Sequence, residues 1–103
     1  MLDKSKMFNE SCYIIGVKQV NDYCGHPLPE IDKHYEYFAI DANGYVHFTH
    51  FAAADIFYCI EDALDAFFEH KSYILERSSA KMYDWDTLVV RRVSFVNEFF
   101  IDI

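Results

Sequence analysis

Glycine and proline are scarce, with three and two among 103 residues, so most of the chain is expected in regular elements rather than loops. The three glycines are isolated, which leaves no glycine-rich loop to cradle a phosphate. Basic residues are also few. Nine Lys and Arg stand against 17 Asp and Glu, giving a net charge of -8 at pH 7. A grip on nucleic acid phosphates needs clustered Lys and Arg, so direct nucleic-acid binding is not expected. No apolar run approaches the ~20 residues of a membrane span, and no apolar segment follows the polar start Met1–Lys6 as it would in a signal peptide. Cysteine appears three times, at Cys12, Cys24 and Cys59. An odd count at wide spacing does not suit a secreted disulfide framework; reduced thiols in the cytoplasm are the expectation.

Core-forming residues, by contrast, are plentiful. Hydrophobic residues make up 52% of the chain, and ten Phe, eight Tyr and one Trp are among the 103 residues. Disordered chains lack such residues. The length suits a single domain over 1–103.

Residues 1–10 read as a loose N-terminal arm or a short turn. Cys12–Val20 is β-branched and aromatic and reads as a strand, in which Gly16 marks a bulge or a close backbone approach. Asn21–Lys33 contains Gly25, Pro27 and Pro29 and reads as a long loop. His34–Asp41 and Tyr45–His50 read as a hairpin closed at Asp41-Ala42-Asn43-Gly44, because Asn and Gly tolerate the positive φ of tight turns. Within Asp55–Ala80, the apolar positions Ile60, Ala63, Leu64, Phe67, Ile74 and Leu75, with the stem of Lys71, follow helical 3/4 spacing. Glu61 and Asp62 fall in the first turn, where acids favour the positive end of the helix dipole. Asp55–Cys59 reads as an extended piece leading into that helix. Thr87–Phe95 reads as another strand, Asn97-Glu98 as a turn, and Phe99–Ile103 as a last short strand or an apolar tail. The sum is an α+β fold of order β-β-β-α-β: a small antiparallel sheet of about four strands, a short C-terminal extra strand as an option, and one main amphipathic helix packed on one face.

Charge is concentrated at the start of the helix. Residues 55–70 hold five acids, Asp55, Glu61, Asp62, Asp65 and Glu69, and no Lys or Arg. On a helix Asp62, Asp65 and Glu69 share one face, with Glu61 beside it. Such a face serves solubility, or it docks a basic protein surface in the manner of a nucleic-acid mimic, aided by long-range attraction. Tyr58 and Tyr73 are its candidate anchors, since Tyr is enriched at interface hot spots. In the hairpin, alternation puts Tyr35 and Tyr37 on one sheet face and Phe38 and Ile40 on the other. A sheet covered by one helix has a face to spare, so Tyr35 and Tyr37 are candidate contacts too, unless a homodimer mate or the N-terminal arm covers them.

The competing chemistry lies in the long loop. Cys24, His26 and His34 are three residues of types that bind zinc, and with Asp32 they are the best available hydrolytic set. The spacing lacks any paired CxxC or HxxxH signature, and no fourth ligand, oxyanion hole or orienting group is visible. His47 and His50 would point to opposite sides of a strand. No metal, cofactor or catalytic residue is therefore assigned. Hairpin, acidic helix and β-branched strand in about a hundred residues resemble, in architecture and charge only, the small accessory proteins of phages and mobile elements. Many of those are inhibitors or adaptors. The expectation is a non-enzymatic, acidic interaction protein that binds a partner protein with a basic surface and no membrane.

Overall fold

A computed structural model describes residues 11–96 and 99–102. The arm read at 1–10 and the turn read at Asn97-Glu98 lie outside the described residues. The strands are β1 (Ser11–Gln19), β2 (His34–Ile40), β3 (Val46–Thr49), β4 (Tyr83–Val96) and β5 (Phe99–Asp102), and the helix α1 spans Ile60–Glu76. All strand pairs are antiparallel and the sheet order is β3-β2-β1-β4-β5. The fold is the α+β arrangement read from the sequence, with the optional short strand present as β5.

The hairpin turn forms as its residues dictate. Gly44 adopts φ +84, and the Asp41 carboxylate accepts the Asn43 and Tyr45 backbone N–H groups at 2.9 and 3.0 Å. Alternation then sorts the side chains by face. Ile15, Phe38, Val46, Ala63, Phe67 and Ile74 form the buried core between sheet and helix. Phe38 is fully buried at its centre, with the rings of Phe48, Phe57 and His70 at 6.2, 6.2 and 6.3 Å.

Among the described residues, part of the opposite sheet face is covered. Cys12, Ile14, Tyr37 and Val93 form a second buried cluster there, against Tyr35, Phe51, Ala54 and Ile56. The cover is the chain's own β3–α1 connection, in which residues 51–53 make one 3-10 turn. Tyr37 packs edge-on against Phe51 at 5.4 Å and accepts a hydrogen bond from Arg91 Nη1 at 2.9 Å. Sequence alternation correctly separates the two faces, but it does not show that a connection will fold back over one of them.

That connection then becomes part of the sheet. The β1–β2 ladder runs from Gln19–His34 to Gly16–Tyr37. Past that point residues 55–57 stand between the two strands. The Asp55 N–H donates to the Phe38 carbonyl at 3.0 Å, and Asp55 Oδ2 accepts the Ile40 N–H at 2.9 Å. On the other side Tyr13 and Phe57 exchange two backbone hydrogen bonds of 2.7 and 2.8 Å. Residues 55–57 therefore act as a wedge that satisfies both strands where they part. The extended piece read before the helix is this wedge.

β4 starts at Tyr83, four residues ahead of the sequence expectation, and its first part is bulged. Its register against β1 shifts between Gly16 and Lys18, where Val89 and Asp84 are the facing residues. Thr87 Oγ1 accepts the Lys18 N–H at 2.8 Å and donates to the Asp84 carbonyl at 2.6 Å, so a hydroxyl replaces a missing ladder carbonyl.

Below the helix, Phe48, Tyr83 and Trp85 form a three-ring cluster with centroids 5.3–5.8 Å apart. The Tyr83 hydroxyl donates to Glu36 Oε1 at 3.1 Å. Burial and the neighbouring Glu36 charge raise the Tyr83 phenol well above its usual 10.0. A raised phenol contributes stability that is complete below pH 10 and is lost as the pH rises beyond it. Thermal stability is thus expected to fall more steeply between pH 9 and 11 in the wild type than in Tyr83→Phe, as read by melting curves across that range. Parallel slopes would refute the assignment.

Candidate interaction surface

α1 forms because its apolar residues repeat at 3/4 spacing and acids occupy its first turn. Only part of that apolar set reaches the core. Ala63, Phe67 and Ile74 are buried, whereas Ile60, Leu64 and Leu75 are exposed at 46%, 38% and 42%. The helix forms where the spacing places it, and it contacts the sheet along a narrower strip than its apolar arc. Phe68, which is not among those 3/4-spaced positions, is 59% exposed. Ile60, Leu64 and Phe68 follow at i, i+4 and i+8, so they form one row of about 12 Å along the helix.

One residue further round, Glu61, Asp65 and Glu69 form a parallel row, all exposed, with Asp62 beyond it. An acidic row and an apolar row therefore run side by side. The apolar row borders a cleft of about 160 Å³ between α1 and β4, lined by Ile15, Leu64, Phe67, Leu88, Val89 and Val90. Lys71 Nζ lies 5.6 Å from the Phe68 ring centroid, at the C-terminal end of the row.

The sequence-predicted contacts divide. Glu61, Asp62, Asp65, Glu69, Tyr58 and Tyr73 are on the surface. The Arg77 guanidinium stands over the Tyr73 ring at 5.2 Å, and Arg77 also donates to the Val46 carbonyl, which ties that tyrosine to the end of the helix. Tyr35 is half-buried with the Arg91 guanidinium 5.7 Å from its ring. Tyr37 is 6% exposed and belongs to the second cluster. Asp55 has its carboxylate turned to the Ile40 N–H within the wedge. Neither Tyr37 nor Asp55 lies with the helical acids on an open face. Their types and local patterns carried no sign of the connection that draws them inward.

The Cys24–His26 loop is organised around Asp22. Its Oδ1 accepts the N–H groups of Cys24 and His26, both at 2.9 Å, and the Asp22 N–H donates to the His26 carbonyl at 2.8 Å. These N–H groups, that of His26 foremost, hold the Asp22 carboxyl below its usual value. His34 Nδ1 meets the Asp32 carbonyl at 2.7 Å, while its Nε2 lies 3.8 Å from Glu36. Among the described residues no three His, Cys, Asp or Glu side chains converge as a metal would require, so Cys24, His26 and His34 are not assembled into one site. Among the described residues, too, no helix is long and apolar enough to cross a membrane.

The exposed apolar row was legible in principle. Ile60, Leu64 and Phe68 extend the apolar arc beyond what one helix can bury on one sheet, and that excess width is the signal. Comparison with protein families, with curated proteins and with solved structures gives no match, so the geometry of α1 is what the functional reading rests on.

Proposed function

We propose that the protein is a non-enzymatic interaction module, an acidic inhibitor or adaptor of the cytoplasm, that binds a partner protein through the exposed side of α1. The observation that carries this reading is the exposed acidic group Glu61, Asp62, Asp65 and Glu69, with no Lys or Arg from residue 55 to 70 to neutralise it. Carboxylates at helical spacing attract Lys and Arg on a facing surface and speed encounter, and salt screens that attraction over ~8–10 Å. Tyr58 and Tyr73, both about half exposed, flank the acids and supply aromatic contact area.

The test is charge reversal. Asp62, Asp65 and Glu69 are changed together to Lys, and association with the partner captured from the native host is timed at low and high salt. The variant is expected to associate at least ~10-fold more slowly at low salt and to lose most of its salt dependence. Asp65 and Glu69 are exposed outside the first turn, so each of those reversals should cost no more than about 0.5 kcal/mol. Asp62 lies in the first turn, where a cation opposes the helix dipole, so its reversal is expected to add about 1 kcal/mol. Identical rates for both proteins at both salts would reduce the acidic face to a solubility device.

A further inference from the structure

We infer that the apolar row of α1 and the cleft beside it form a docking groove for a basic amphipathic helix of the partner. The inference rests on the interaction reading above and names the chemistry of the segment bound.

Three observations converge. Ile60, Leu64 and Phe68 stand in an exposed row, although a lone helix on a sheet needs only its buried strip, Ala63, Phe67 and Ile74, to hold the fold. The row is continuous with the cleft through Leu64, and Leu88 and Val89 of β4 form the far wall. The acidic row Glu61, Asp65 and Glu69 runs parallel to the apolar row at the same four-residue period. A ligand that fits both rows carries apolar residues every three to four positions and Lys or Arg on the adjacent flank, which describes a basic amphipathic helix.

Charge decides between this occupant and a second copy of the chain. In a two-fold pair of antiparallel helices joined along the apolar row, like flanks face one another. The acidic row would then meet its own copy, in a protein whose net charge is already -8. Repulsion across that seam disfavours self-association and favours a cationic flank. A purely basic, non-amphipathic surface would leave Ile60, Leu64 and Phe68 exposed to water after binding.

The test uses the full chain and two synthetic peptides of about 18 residues, long enough to form a helix. One carries leucines at 3/4 spacing with lysines along one flank; the other is its scramble, with the same composition and charge. Binding is followed by titration calorimetry and by NMR shift mapping. The amphipathic peptide is expected to bind at least ~10-fold more tightly than the scramble, with shifts centred on Ile60, Leu64, Phe68, Leu88 and Val89. Leu64→Asp is expected to remove that preference. Phe68→Ser, at a more exposed position, serves if melting shows Leu64→Asp to be misfolded, and Tyr45→Asp on the remote hairpin turn is the control that changes nothing. Equal binding of both peptides, or shifts confined to the acids, would overturn the groove while leaving a charge-driven interaction standing. No binding of either peptide would also overturn it, and the salt dependence of the charge-reversal variant with the captured partner then decides separately whether the acidic face binds at all.

Discussion

Phe38→Ala is expected to destabilise the protein by about 3–5 kcal/mol, the range for emptying a well-packed aromatic site. Phe38 is fully buried, and its ring meets three separate elements: Phe48 from β3, Phe57 from the wedge and His70 from α1. No single neighbour can collapse into the space without leaving another. For a domain of this size each kcal/mol moves the melting temperature by about 4–8 °C, so a fall of tens of degrees is anticipated. Urea unfolding of the variant beside Tyr45→Ala, an exposed aromatic on the turn, gives the comparison. A loss below about 1 kcal/mol for Phe38→Ala would mean that the core is repacked in a way the ring geometry does not allow.

Gly16→Ala is expected to cost about 1–3 kcal/mol through overpacking. A Cβ at this position would sit 2.9 Å from Cε1 and 3.1 Å from Cδ1 of Tyr37. The ring cannot swing aside, because Phe51 packs on it and Arg91 holds its hydroxyl. Gly44→Ala separates steric from backbone effects. There a Cβ meets nothing within 4 Å, but φ is +84, so a cost of about 1–2 kcal/mol arises from conformation alone. Pairing each change with Tyr37→Leu distinguishes them by double-mutant cycle. The shorter side chain should recover much of the Gly16→Ala loss and none of the Gly44→Ala loss. Simple additivity at Gly16 would sink the explanation.

Legibility in the sequence followed the range of the forces involved. The β2–β3 hairpin and α1 depend on local turn chemistry and on period, and both appear where Asp41–Gly44 and the 3/4 spacing place them. Gly16 within a strand signals a bulge or a close backbone approach; the structure has a register shift beside it, and what comes close is the Tyr37 ring rather than another backbone. The extended piece Asp55–Cys59 was legible, but its place between β1 and β2 was not, because Asp55 and Phe57 pair with strands that lie far away in sequence. Nothing in their side-chain pattern records such pairing. The bulge at the start of β4 was missed for a similar reason: Thr87 reads as an ordinary strand residue until its hydroxyl is seen standing in for a carbonyl. On the candidate surface the acids of α1 were legible, since charge and helical period suffice. For Ile60 and Leu64, 3/4 spacing marks an apolar face, and it is the width of that face, not its period, that shows part of it stays uncovered.

The strand order has a consequence for how the chain is made. β1 is the central strand and contributes Ile14, Ile15 and Val17 to the buried interior, yet it comes first of the described elements. One of its edges is completed by β2 and the wedge, the other by β4, whose Ser94 faces Ser11. During synthesis from the N-terminus, β1 therefore emerges well before the strand that closes its second edge. Until β4 is available, an apolar strand edge stands open while the hairpin beside it is already able to form, and long-range pairing of this kind is slow. The nascent chain thus carries an open edge on β1 until β4 has left the ribosome, and a product truncated ahead of β4 would keep that edge open permanently.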